Sequence, residues 1–185
     1  MKKILFLFCL TAFVACNSAN EAKVESVSSK DSSEVAADSI SYQYSADYSS
    51  KFEMGNPKNV KTIFDLYTDW DNNNLDNSKN EFADSVTLIF SNGDMMAGKI
   101  DSLTELSKTF RNTLGTVNTK VHAVVPLRST DKNEDWVLVW FTEYRTDAKG
   151  KKDSIQFQET WRLDKDGRAD KLYQYEQKNI ASAKK

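Results

Sequence analysis

Between residues 117 and 176 the chain carries four runs with the spacing and composition of strands: 117–127, 136–145, 154–163 and 169–176. β-branched and aromatic residues fill them. The breaks at 129–135, 147–152 and 164–168 are polar and rich in turn formers. Four successive strands with short breaks pair most simply as an antiparallel meander. Its apolar face then requires a second layer to cover it. Val137 to Phe141 is apolar at five consecutive positions, which predicts a central strand covered on both faces.

The second layer is written earlier in the chain. Asn56-Pro57 reads as a cap followed by proline at the first helical position. Val60, Ile63, Phe64 and Tyr67 follow at helical spacing, and the polar run 71–74 ends that helix. A short helical turn is expected over 75–81 and a strand over 86–90. Asn92-Gly93 predicts a hairpin turn with both residues at positive φ, and 95–98 is the return strand. Asp101 is the expected cap of the next helix, with Leu103, Leu106, Phe110 and Leu114 on its buried face and Gly115 ending it in the left-handed region. Helices, a small hairpin, a helix and then a meander predict an α+β fold. Its curved, mainly antiparallel sheet would wrap around the N-terminal helices as a cone, with a pocket on the concave side that the helices only partly fill.

The N-terminus is of another kind. Lys2 and Lys3 precede an apolar run over 4–14, too short to cross a bilayer, and Ala15-Cys16 follows. This resembles a bacterial lipobox, although Phe13 stands where leucine is usual. The expectation is a signal peptide over 1–15, with Cys16 lipidated and holding the chain at a membrane of the cell envelope, on its periplasmic or surface face. The alternative is an ordinary secretory signal with an incidental cysteine. Residues 16–53 read as a tether. Its first part, to about residue 41, is too poor in apolar residues to offset the entropy of ordering. Tyr42, Tyr44, Tyr48 and Phe52 are either a lead-in strand or a sticky linker. The folded domain is expected over 54–178, with a frayed tail over 179–185.

Charge and residue counts remove several functions. A net charge of −2 is unsuited to nucleic-acid binding, which needs a basic surface. The two cysteines are Cys9 and Cys16, so the domain has no thiol for a disulfide, a thiolate metal site or a nucleophile. His122 is the single histidine, which excludes a multi-histidine metal centre. No cofactor and no metal are expected.

Phe82-Ala83-Asp84-Ser85-Val86-Thr87-Leu88 after a first helix, then Asn92-Gly93, then Gly98-Lys99-Ile100-Asp101 opening a helix, resembles the entry segment of the nuclear transport factor 2-like superfamily. Residues 161–168, Trp-Arg-Leu-Asp-Lys-Asp-Gly-Arg, resemble its last hairpin. The resemblance covers about residues 56–176. It implies the cystatin-like cone fold shared by ketosteroid isomerases, SnoaL-like cyclases, dehydratases and many non-catalytic binding or dimerisation domains. A fold of this breadth does not specify a chemistry. Carried over from ketosteroid isomerase, the general-base position falls at Phe90, which cannot accept a proton. The oxyanion tyrosine falls at or beside Tyr67, and the acidic hydrogen-bond donor at Glu159.

Each candidate also has a plain structural role. Tyr67 and Phe90 are either pocket walls or core aromatics. Glu159 alternates with Phe157 and Trp161, so it faces inward if they do, and a buried carboxyl there has a raised pKa. His122 is either a structural histidine or a base. Trp136, Trp140 and Trp161 are core residues or a stacking surface for sugars or bases. The function expected is a membrane-anchored pocket module with Tyr67, Phe90, Glu159 and Trp161 around a small, mostly apolar ligand, forming a homodimer through the outer sheet face. The alternative is an isomerase, dehydratase or cyclase that uses Glu159 or His122 as base and Tyr67 as donor.

Overall fold

The computed structural model describes residues 42–177. The chain divides into two units, 1–43 and 44–185, and nearly all of the second is described. The segment expected as a signal peptide, Cys16, the expected tether up to residue 41 and the tail from residue 178 lie outside the described residues. The order is β1 (Phe52–Met54), α1 (Lys58–Asp71), a 3-10 turn (Asn77–Asn80), β2 (Phe82–Ile89), β3 (Met95–Lys99), α2 (Ile100–Arg111), β4 (Thr116–Ser129), β5 (Glu134–Thr146), β6 (Lys152–Leu163) and β7 (Ala169–Gln177).

The seven strands form one sheet in the order β1-β4-β5-β6-β7-β2-β3. The meander β4 to β7 is antiparallel throughout. The β2–β3 hairpin joins it by a parallel pairing of β2 with β7. Bulges interrupt β4 at Val121/Ala123, β7 at Asp170 opposite Arg162/Leu163, and β2 between Phe82 and Thr87. Extra residues at such points bend a sheet and increase its twist. Both helices lie on the face so formed. Ile63, Val137 and Val139 are fully buried at the centre, among Leu66, Phe141, Phe157 and Trp161.

Several expectations shift by a residue or a face. α1 begins at Lys58, and Asn56 Oδ1 accepts the Lys58 N–H at 3.0 Å, so Asn56 still caps the helix with Pro57 between. Asp101 does not cap α2. The helix starts at Ile100 after Lys99, and Asp101 sits in the first turn, paired with Lys79. The expected hairpin turn is instead a three-residue loop, Ser91-Asn92-Gly93. Gly93 alone has positive φ (89°), and the Phe90 N–H bonds the Asp94 carbonyl at 2.9 Å. This is a type I turn closed by a left-handed residue, which needs one glycine rather than two permissive positions.

Over 137–141 the central strand is fully covered on one face, not two. Val137, Val139 and Phe141 point to the helices, while Trp140 is 38% exposed on the outer face. An antiparallel sheet can leave such a face in water, since its strands do not need helical crossovers on both sides. α2 is rotated from the expected stripe as well. Leu103, Thr104 and Arg111 are its buried residues, while Leu106 is 58% and Phe110 54% exposed. The lead-in segment is docked before β1 begins. Ser129 Oγ lies 2.9 Å from Ser49 Oγ, and Tyr48 bonds Glu134 and meets the Trp136 ring edge-on at 6.4 Å. β1 itself pairs with the end of β4. The folded part therefore extends into the segment read as tether.

Gly115 joins α2 to β4 at φ 68°, and a Cβ there would lie 2.2 Å from the Thr146 carbonyl oxygen. Neither obstacle can relax, because Thr146 is held in the sheet. Gly115→Ala is expected to lower stability by about 2–4 kcal/mol. The urea midpoint measures this, and an unchanged midpoint would show that the connection can adopt another path.

Candidate functional site

The inward alternation of β5, β6 and β7 decides which side chains face the helices. On β5 these are Val137, Val139, Phe141, Glu143 and Arg145; on β6 Phe157, Glu159 and Trp161; on β7 Leu172 and Gln174. The helices do not fill the space above them. A cavity of about 500 Å³ remains, lined mainly by apolar side chains of α1, α2, the β2–β3 hairpin and the sheet. That volume is in the range of small-molecule sites. Leu106 and Phe110, exposed on α2, are lining residues. Their rotation away from the core places them over the cavity.

Tyr67, Phe90 and Trp161 all line the cavity, and Glu159 does not. Glu159 lies behind that wall, 4% exposed, and three donors hold its carboxylate. Tyr67 Oη donates to Oε2 at 2.6 Å, Trp161 Nε1 to Oε2 at 2.9 Å, and Gln174 Nε2 to Oε1 at 2.8 Å. Trp161 Nε1 also reaches Tyr67 Oη at 3.2 Å. Burial raises the Glu159 pKa above its ordinary value, and the three donors oppose that rise. Burial, with the neighbouring Glu159 adding to it, holds the Tyr67 phenol well above its usual pKa, so it remains a donor. The polar groups of this wall are thus spent on each other. Tyr67 packs on Phe141 with ring centroids 4.9 Å apart, and Phe141 on Phe157 at 5.4 Å, which makes an aromatic floor.

His122 is on the opposite face of the sheet. It sits at the β4 bulge, and its Nε2 lies 2.7 Å from Thr142 Oγ1. Thr142 is out of phase with Phe141, so both belong to the outer face. Trp136 is buried on that face and stacks on Tyr173, with centroids 6.5 Å apart.

The polar end of the cavity comes from residues that the sequence reading did not single out. Glu143 is buried; its Oε2 accepts the Trp70 N–H at 2.7 Å, and its Oε1 pairs with Arg145 Nε. Trp70, Thr119, Glu143 and Arg145 all line the cavity. The signal was present: the alternation that turns Phe141 inward carries Glu143 and Arg145 to the same face. Beside them, the Asp71 carboxylate receives the Thr119 N–H at 2.7 Å and its hydroxyl at 2.8 Å. Among the described residues, no group of three or more acidic, histidine or cysteine side chains is placed to hold a metal ion.

No family model and no curated protein matches the sequence. Solved structures do match in shape. A nuclear transport factor 2-like protein of unknown function from Exiguobacterium sp. 255-15 aligns with a TM-score of 0.52 at 18% identity, over 65% of this chain and 99% of that one. This chain has the nuclear transport factor 2-like fold. TerC, co-crystallised with polyporic acid, aligns at a TM-score of 0.52 and 15% identity, over 64% of this chain and 91% of its own. A protein with a ketosteroid isomerase-like fold from Catenulispora acidiphila DSM 44928, in complex with trimethylamine, gives 0.51 at 11%, over 62% and 84%. The nuclear transport factor 2-like cone accounts for the placement of the cavity between the helices and the concave sheet.

Proposed function

We propose that this is a lipid-anchored protein of the cell envelope whose cone binds a small, mostly apolar molecule without transforming it. The observation that carries the reading is the wall of the cavity: about 500 Å³ of largely apolar lining, with Tyr67, Trp161 and Gln174 all committed to Glu159. A proton-transferring enzyme of the isomerase or cyclase type would need a base facing the ligand. By the resemblance, the position where ketosteroid isomerases carry one falls at Phe90; Glu159 stands behind the wall, and His122 is on the outer face. Of the carboxylates that do line the cavity, Glu143 is held on both oxygens by Trp70 and Arg145, and Asp94 and Glu176 are bonded by Asn92 and Ser91 on the hairpin side. Fold relatives that hold trimethylamine or polyporic acid are consistent with a ligand-binding cone. Anchoring rests on the Ala15-Cys16 junction and the apolar run before it. Homodimerisation rests on the exposed Trp140, Tyr144 and Tyr175 of the outer sheet face.

Mass spectrometry of the protein extracted from membranes tests the three parts together. Under denaturing conditions the expected mass is that of a chain starting at Cys16 with acyl groups attached. Under native conditions a dimer carrying a small-molecule adduct is expected. A chain starting elsewhere without lipid removes the anchoring proposal. A bare monomer removes the dimer and leaves the cavity without an occupant.

A further inference from the structure

The polar end of the cavity keeps one charge that the fold does not use up. Arg145 donates from Nε to Glu143, and its side chain is about a fifth exposed (21%) while lining the cavity. Among the described residues no partner meets its Nη1 or Nη2. Asp153, opposite Arg145 in the β5–β6 register, turns its carboxylate to the Ser154 N–H at 2.8 Å and forms no ion pair with it. The other arginine at this end, Arg111, gives a hydrogen bond from each of its three nitrogens to a backbone carbonyl and does not line the cavity. Glu143 is itself engaged on both oxygens, by Trp70 and Arg145. The guanidinium is therefore fixed through Nε, and its Nη1–Nη2 edge is left open. That edge matches the two oxygens of a carboxylate.

The charge of the rest of the lining sets a direction. Asp94 and Glu176 line the cavity on the hairpin side, together with the hydroxyl of Ser91. Among the described lining residues they and Glu143 are the acids, and Arg145 is the one cation. At the hairpin side an anionic group meets two carboxylates and no lining cation, whereas at the other end Glu143 offsets the charge of Arg145 and the open Nη edge offers the hydrogen-bond donors an anion needs. Between the two lie Phe90, Phe141, Phe157 and Trp161, which suit an apolar body. The Glu143 partner makes an unliganded arginine tolerable in this setting, since a buried charge without a counterion is costly.

We propose that Arg145 is the recognition point of the cavity and that its ligand is an amphipathic monoanion, a carboxylate with an apolar aromatic or aliphatic body, bound head-first at the Nη edge. This rests on the reading of the cavity as a binding site, and it names the ligand class and orientation. The test is titration of the purified full chain with three probes of one shape: 6-phenylhexanoate, 6-phenylhexanamide and 6-phenylhexylammonium. Tryptophan fluorescence reports binding, because Trp70 and Trp161 line the cavity. The acid is expected to bind at least about tenfold tighter than the amide, the scale of a charge-assisted pair. Arg145→Gln should erase that preference while leaving the amide's affinity in place, and Arg145→Lys should keep part of it. Near-ultraviolet circular dichroism checks that each variant is folded. If Arg145→Gln does not fold, the wild type and Arg145→Lys carry the comparison. Equal binding of acid and amide, tightest binding of the ammonium, or a preference that survives in Arg145→Gln overturns the assignment while the binding site stands. No response to any probe at millimolar concentration removes the binding site and the assignment with it.

Discussion

Replacing Arg111 by methionine is expected to lower the unfolding free energy by about 3–5 kcal/mol, the cost of leaving several buried acceptors without a donor. Arg111 is 3% exposed at the end of α2. Its Nε donates to the Trp70 carbonyl at 2.6 Å, Nη2 to the Asp71 carbonyl at 2.9 Å, and Nη1 to the Gly115 carbonyl at 2.9 Å. The first two are last-turn carbonyls of α1, without a partner inside the helix; that of Trp70 also accepts the Asn73 N–H at 3.2 Å. The third opens β4. One side chain thus joins the ends of two helices to the sheet, and its cation lies 5.7 Å from the centre of the Trp70 ring. Methionine fills much of the volume and supplies none of the donors. Lysine should restore less than half of the loss, because one ammonium cannot reproduce the planar fork. Urea unfolding of the three forms measures this. A methionine variant with an unchanged midpoint would mean that water takes over all three carbonyls.

Glu159→Ala is expected to cost about 2–4 kcal/mol at neutral pH, whereas Glu159→Gln should stay within about 1 kcal/mol of wild type. Alanine strands the Tyr67 hydroxyl, the Trp161 N–H and the Gln174 amide together. Glutamine keeps an oxygen for Tyr67 and Trp161, and Gln174 can rotate its amide to accept from the new NH2. The pH dependence separates charge from shape. Burial raises the folded-state pKa of Glu159 above its unfolded value, so between the two values the native state binds the proton more tightly. The resulting stability is fully present below about pH 4.3 and is lost as pH rises through the folded-state pKa. Glutamine does not titrate. Measured from pH 4 to pH 8, the stability of Glu159→Gln relative to wild type should therefore improve. A difference that is flat across this range would mean that Glu159 titrates alike in both states.

Where periodicity and turn chemistry act locally, the sequence was legible. The four late strands, both helices and the left-handed Gly115 follow from spacing and residue type, and the alternation of Phe157, Glu159 and Trp161 turned Glu159 inward. What was not legible depends on how elements meet. Leu106 and Phe110 carry the spacing of core residues, yet the space opposite them is empty, so they cover a cavity instead. Val137 to Phe141 reads as apolar on both faces, but a strand cannot record whether a second layer exists behind it. The spacing on its strand predicts Glu159 as a pocket wall. That it stands behind the wall depends on Tyr67, Trp161 and Gln174, which come from three different elements. Glu143 and Arg145 lie at the end of a strand whose apolar centre drew the reading away from its charged edge.

The parallel pairing of β2 with β7 has a consequence for how the chain acquires its shape. Leu88 lies beside Leu172, more than eighty residues later, so the early hairpin has no place to dock until the last strand has been made. The neighbouring strands of the meander are close in sequence and can zip up first, while the closure that completes the cone spans most of the domain. Such long-range pairing is intrinsically slow. The β2–β3 hairpin, paired only within itself, must therefore wait for β7 before it joins the sheet. A chain released from the ribosome before β7 would hold its hairpin and first helix against an incomplete wall, and the cavity would not yet exist.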